Sequence, residues 1–185
     1  MRSKNILQQN TYQHYEAAKV MNLKNLKPND LLVMPRFGVG KCKDWQVIEI
    51  DGCKAKMLSI YFYTSKITVH FPKEKMDSVK ARALASLAEI EECFKILKSP
   101  RHNLRQNWIG TLKSYYQKLH SGDLQKLAEL IRDTHIESKI LRDQNYTKRE
   151  INDTAIDLLA YELMFVQNIS YEQARDKIKD SVPHS

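Results

Sequence analysis

The sequence predicts an α+β protein: a small antiparallel β-barrel of Tudor-like or SH3-like kind, followed by an all-α helical module. Three observations predict it. Short β-branched and aromatic runs, separated by Pro, Gly and Asp-Gly turn signals, fill residues 31–71. Helix-capping signatures recur after Ser86. The spacing of apolar residues changes from two to three-or-four at the same place. The chain therefore divides into an N-terminal arm over residues 1–26, a β module over 27–80 and a helical module over 86–180.

The arm is amide-rich, with Gln8, Gln9, Asn10, Gln13, Asn22 and Asn25, and reads as loosely ordered with a short helix near Tyr12–Met21. Leu31–Met34 is a first β run, ended by Pro35 and a turn carrying Gly38 and Gly40. Trp45–Ile50 is a second, closed by Asp51-Gly52, a dipeptide suited to type I′ hairpins because both positions take positive φ. Met57–Tyr63 is the return strand. Ile67–Phe71 alternates, with Ile67, Val69 and Phe71 on one face and Thr68 and His70 on the other. In the helical module, Ser86 with Glu89, Thr147 with Glu150 and Ser170 with Gln173 match the capping box, and each heads a helix. Pro100 stops the first helix, Gly122 ends the one holding Trp108, and Asp123 caps the next. Leu124, Leu127, Ile131, Thr134, Ser138 and Leu141 make a seam of period about 3.5. Residues 148–167 are apolar nearly all round, as a central helix is.

With 185 residues the chain can hold one medium domain or two small ones, and 42% hydrophobic content excludes wholesale disorder. A net charge of +8 favours an acidic partner. No apolar run approaches the roughly 18 residues of a membrane span, and the first ten residues lack the apolar core of a secretory signal. Three cysteines without a CxxC pair point to reducing, cytoplasmic surroundings. No Gly-rich phosphate loop, GxSxG or HExxH occurs, so an enzyme is not expected, nor a small-molecule substrate. Glu89, Glu91 and Glu92 fall in the first turns of a helix, where carboxylates complement the dipole. His102, His120 and His135 share no spacing that converges on a metal. Cys42 and Cys53, eleven apart across the predicted hairpin, can approach each other but would need two further ligands, so neither metal nor cofactor is expected.

One stretch stands apart. Between Glu92 and Asp123 there is no acid, yet Lys95, Lys98, Arg101, Arg105, Lys113 and Lys118 surround Trp108. Cations around a flat aromatic suit a polyanion, the charges meeting phosphates and the ring stacking on or wedging between bases. The same pattern also fits a solvated basic helix face with a core tryptophan.

Residues 27–40 (KPNDLLVMPRFGVG) resemble the opening strand and turn of the CarD/CdnL family of bacterial transcription regulators, and residues 68–72 (TVHFP) a later strand. Asn107-Trp108 with residues 118–133 (KLHSGDLQKLAELIRD) is similar to that family's Trp-bearing helix and the helix after it. The resemblance covers about residues 27–168. It implies a Tudor-like module that docks on the RNA polymerase β subunit, at positions matching Arg36, Thr68 and His70. It also implies a helical module on promoter double-stranded DNA, where Trp108 wedges into the minor groove at the upstream edge of the bubble beside Lys113. Two positions depart from the family pattern: Gly110 and His70 stand where basic residues are frequent. Both departures imply either a weaker grip on DNA or polymerase, or contacts rearranged to Arg101, Arg105, or Lys148 and Arg149. The expected function is a monomeric transcription regulator that stabilises the open complex; the alternative is a partner-docking scaffold without DNA contact.

Overall fold

The computed structural model describes residues 23–78, 80–101, 108–135 and 143–183. The expected helix near Tyr12–Met21 lies outside them. Four antiparallel strands, β1 (Leu31–Met34), β2 (Gly38–Ile50), β3 (Cys53–Phe62) and β4 (Ile67–Pro72), form one sheet in sequence order. Among the described residues five α-helices follow: α1 (Leu87–Lys98), α2 (Trp108–Leu119), α3 (Leu124–Thr134), α4 (Asp143–Gln167) and α5 (Tyr171–Ser181). The α+β class is as expected, but the sheet is open rather than closed into a barrel. The outer edge of β1 is taken by the linker, since Val33 and Arg82 exchange both backbone hydrogen bonds at 2.8 and 2.9 Å. That leaves β4 as the exposed edge.

Local chemistry explains most of the elements. Asp51 and Gly52 turn the β2–β3 hairpin with φ of 51° and 76°. β2 starts seven residues earlier than the alternation suggests, because a register shift between Cys42 and Trp45 breaks its pattern. Gly40 accordingly sits inside β2 rather than in the turn. A Cβ there would meet Ile60 Cγ2 at 2.7 Å and the Phe62 ring at 2.8 Å, so only glycine lets these two buried side chains close over the strand. Leu23, Leu26, Leu32, Leu58, Ile60 and Phe62 belong to the core under this sheet. On β4, Val69 and Phe71 pack against that core, whereas Ile67 at the strand's start is 44% exposed. Cys42 pairs with Ile60 and Cys53 with Ile50. Ile60 and Cys53 lie seven residues apart on β3, about 23 Å at 3.3 Å per residue, so the two cysteines do not meet.

Two of the three capping boxes form: Ser86 with Glu89 ahead of α1, and Ser170 with Gln173 ahead of α5. Thr147 is different. It lies inside α4 (Asp143–Gln167), because threonine's interior penalty is a few tenths of a kcal/mol and does not by itself stop a helix. Pro100 follows the end of α1 at Ser99 as expected. The α2–α3 corner also forms as expected, with Gly122 at φ 73° and the Asp123 carboxylate accepting from the Gln125 and Lys126 amides. Ser138 and Leu141 of the expected seam lie outside the described residues. α4 is the central helix, burying Ile151, Ala155, Ile156, Leu159 and Leu163 in the helical core. No helix among the described residues is long and apolar enough to cross a membrane.

The sheet and the helices are joined by a buried polar lock. Arg82 makes two parallel bonds to the Glu162 carboxylate, at 2.6 and 2.9 Å, and its Nε donates to the Gly122 carbonyl at 3.0 Å. Glu162, only 2% exposed, also accepts from the Ala85 amide at 2.8 Å. Beside it, a Cβ on Gly122 would meet Pro35 Cγ at 2.8 Å, so the β1–β2 turn rests directly on the α2–α3 corner. Aromatic rings close the other side: Tyr63 packs on Tyr161 and Phe165 of α4, with centroids 5.8 and 4.9 Å away.

Candidate nucleic-acid interface

α2 carries no acidic residue, and its residues divide cleanly at 100° per step. Thr111, Tyr115 and Leu119 face the core. Trp108 belongs to this inward stripe, one turn before Leu112 and two before Tyr115; its place at the helix start leaves it half-buried. The outward stripe is Ile109, Lys113, Tyr116 and His120. Ile109 is 78% exposed and Tyr116 41%, and the rings of Tyr116 and His120 lie 5.9 Å apart.

The cations of the acid-free stretch have separate fates. Lys118 is drawn off by Glu129 at 2.9 Å and Asp133 at 3.5 Å, and Lys95 by Glu92. Lys98, Arg101 and Lys113 are exposed, and among the described residues no ion pair engages them. Arg105 lies outside the described residues. Lys148 has its proton affinity lowered by burial, then by the charge of Arg101, against an opposing pull from Asp133. The charge of Arg101 thus reaches Lys148. The next residue, Arg149, points elsewhere and lines a polar cleft of about 260 Å³ with His135, Asp153 and Lys179.

The three residues expected to hold polymerase are not brought together. Thr68 and His70 share the exposed face of β4, and the His70 ring is bonded to the Ser59 hydroxyl at 2.8 Å. Arg36 sits in the β1–β2 turn at the far edge, lining a crevice with Leu119, Gly122 and Asp123. It lies close enough to His120 that burial and then the Arg36 charge both lower that imidazole's proton affinity. The charged form of His120 is therefore disfavoured in the fold, and its contribution to stability is present above pH about 6.5 and fades as pH falls through its lower native pKa. Arg36→Ala is expected to raise the His120 midpoint in an NMR titration, and an unmoved midpoint would mean that the two do not interact.

Sequence reasoning centred on Trp108 and missed Ile109 and Tyr116. A helical wheel anchored on Leu112, Tyr115 and Leu119 would have found them. Nucleophilic chemistry gains no support: burial pushes the Cys42 thiol up to about 11, helped by Asp30, and Cys93 up to about 12, so both stay protonated at neutral pH. Among the described residues no cluster of three or more His, Cys, Asp or Glu could hold a metal.

Fold and site together define a class: an α+β protein in which a sheet with one open edge is locked to a helical bundle whose second helix turns an acid-free, partly apolar face to solvent. Residues 92–179 match the family model described as CarD, C-terminal domain. The chain is also similar to a protein of Bacillus subtilis (strain 168) named "Putative transcription factor YdeB", with 23% identity over 146 residues, covering 79% of this chain and 95% of that relative. Both matches support a CarD/CdnL-like family.

Proposed function

We propose that this chain is a transcription regulator, not an enzyme, which docks on the RNA polymerase β subunit and steadies the promoter open complex. The relative's name as a transcription factor and the family match support the class. In this reading the sheet is the Tudor-like docking module and acts through β4, whose exposed edge offers backbone donors and acceptors to a partner strand. The helical module grips double-stranded DNA at the upstream edge of the bubble. Trp108 enters the minor groove there, with Lys113, Arg101 and Lys148 on phosphates and Arg149 further round the bundle. Arg105 joins them in this reading. The protein acts as a cytoplasmic monomer without cofactor.

The observation that carries this reading is the outer face of α2, where exposed Lys113 stands between exposed apolar groups on a helix without acids. Lys113→Ala is expected to weaken promoter binding and to reduce the slope of log affinity against log salt by about 0.9. An unchanged slope, measured by fluorescence anisotropy, would remove Lys113 from the phosphate contacts. Docking is tested separately: Thr68→Glu should lower affinity for the polymerase about tenfold, or ~1.4 kcal/mol, while affinity for promoter DNA alone stays at the parental value.

The half-burial of Trp108 favours a second reading, a docking scaffold without DNA contact. Acrylamide quenching separates the two. Under the scaffold reading the indole stays protected with and without promoter DNA; under the first, protection rises when DNA binds.

A further inference from the structure

We propose that Ile109 is a second apolar tooth of the nucleic-acid face, entering distorted DNA beside Trp108. Six large hydrophobic side chains are exposed among the described residues: Val47, Ile67, Leu87, Ile109, Tyr116 and Tyr146. Ile109 is the most exposed at 78%, and it shares its helix face with one other of the six, Tyr116. Lys113 lies between them, one turn from Ile109. His120 continues the stripe, and Arg36 lies near its far end. The face therefore combines apolar and aromatic groups with Lys113, and α2 carries no anion.

This composition selects the occupant. A convex helix face needs a concave partner, and its charge needs a polyanion. An acidic peptide supplies charge but no slot for a short, β-branched side chain. Nucleic acid supplies both, because a groove lined by phosphates opens apolar gaps between base steps that isoleucine, like other wedge residues, can enter. Trp108 alone does not fill this role. Its direction from the helix axis coincides with that of Tyr115 and Leu119, which are buried, whereas Ile109 projects about 100° away, toward solvent. Half-buried Trp108 reaches the groove only from the core side of the tooth. Unstacking opposes insertion by a few kcal/mol per step on intact duplex, so both residues act where the duplex is already opened.

The inference rests on the reading of α2 as the DNA face, and its test separates the two. The full chain, parent and variants, is titrated by fluorescence anisotropy against a forked DNA and a fully paired duplex of the same sequence. Ile109→Ser is expected to lower fork affinity about tenfold, with less than a twofold change on the paired duplex, and Ile109→Leu to retain fork binding. Because Ile109 is exposed, the thermal midpoint of Ile109→Ser should match the parent, which excludes unfolding as the cause. Parental fork affinity in Ile109→Ser, or an equal loss on both DNAs, overturns the tooth. If the parent itself fails to prefer the fork, the DNA-face reading falls and the inference with it. If the parent prefers the fork and Trp108→Ala loses that preference while Ile109→Ser keeps it, the reading survives and the Ile109 assignment alone is wrong.

Discussion

Replacing Glu162 by alanine is expected to destabilise the protein by about 3–5 kcal/mol, the usual consequence of removing one partner from a buried ion pair. Its carboxylate meets three donors, two from the Arg82 guanidinium and one from the Ala85 amide. Without it, the Arg82 side chain, 14% exposed in the parent, loses its ion-pair partner. At roughly 2–4 °C per kcal/mol for a chain of this size, the thermal midpoint should fall by about 10 °C. Arg82→Lys should lower it by less, since an ammonium keeps the charge but cannot make both parallel bonds. Converting both residues to apolar ones of similar volume should recover much of the loss, because neither charge then needs solvating. A Glu162→Ala variant that melts within 2 °C of the parent, under the measurement just described, would mean that the lock adds nothing to stability.

Trp108→Ala should shorten the lifetime of the polymerase–promoter open complex about tenfold while polymerase binding stays unchanged. The estimate follows from roughly 1–3 kcal/mol per base stacked on an aromatic ring. Because Trp108 is half-buried on the inward stripe of α2, the variant also loses some packing, and a thermal midpoint must accompany the kinetic measurement. Trp108→Phe keeps a ring of smaller area and should lie between alanine and parent. Equal dissociation rates for parent and Trp108→Ala in a promoter competition assay would refute the wedge.

What was legible in the sequence is what depends on neighbouring residues. Ser86 and Ser170 cap helices because their partners are three residues away, Asp51-Gly52 turns a hairpin because both tolerate positive φ, and Gly122-Asp123 ends one helix and starts the next. What was not legible depends on distant packing. Arg82 bridges Val33 on the β1 edge from the linker, which no strand pattern encodes. Thr147 carries a start signal that the longer helix overrides. At the candidate site, charge pointed to the right helix, but the burial of Tyr115 decides which of its faces meets solvent. The charge of Arg36 reaches His120 where Pro35 rests on Gly122, a contact across 87 positions of sequence.

The Arg82–Glu162 lock has a consequence for length measurement. With the strands clamped to the bundle through Gly122 and Ala85, the interval from the free rim of β4 to the tip of α2 is fixed as in a caliper with one setting. A molecule gripping both ends cannot slide one against the other. In the proposed reading, whatever anchors the rim thereby also sets where the other jaw comes down.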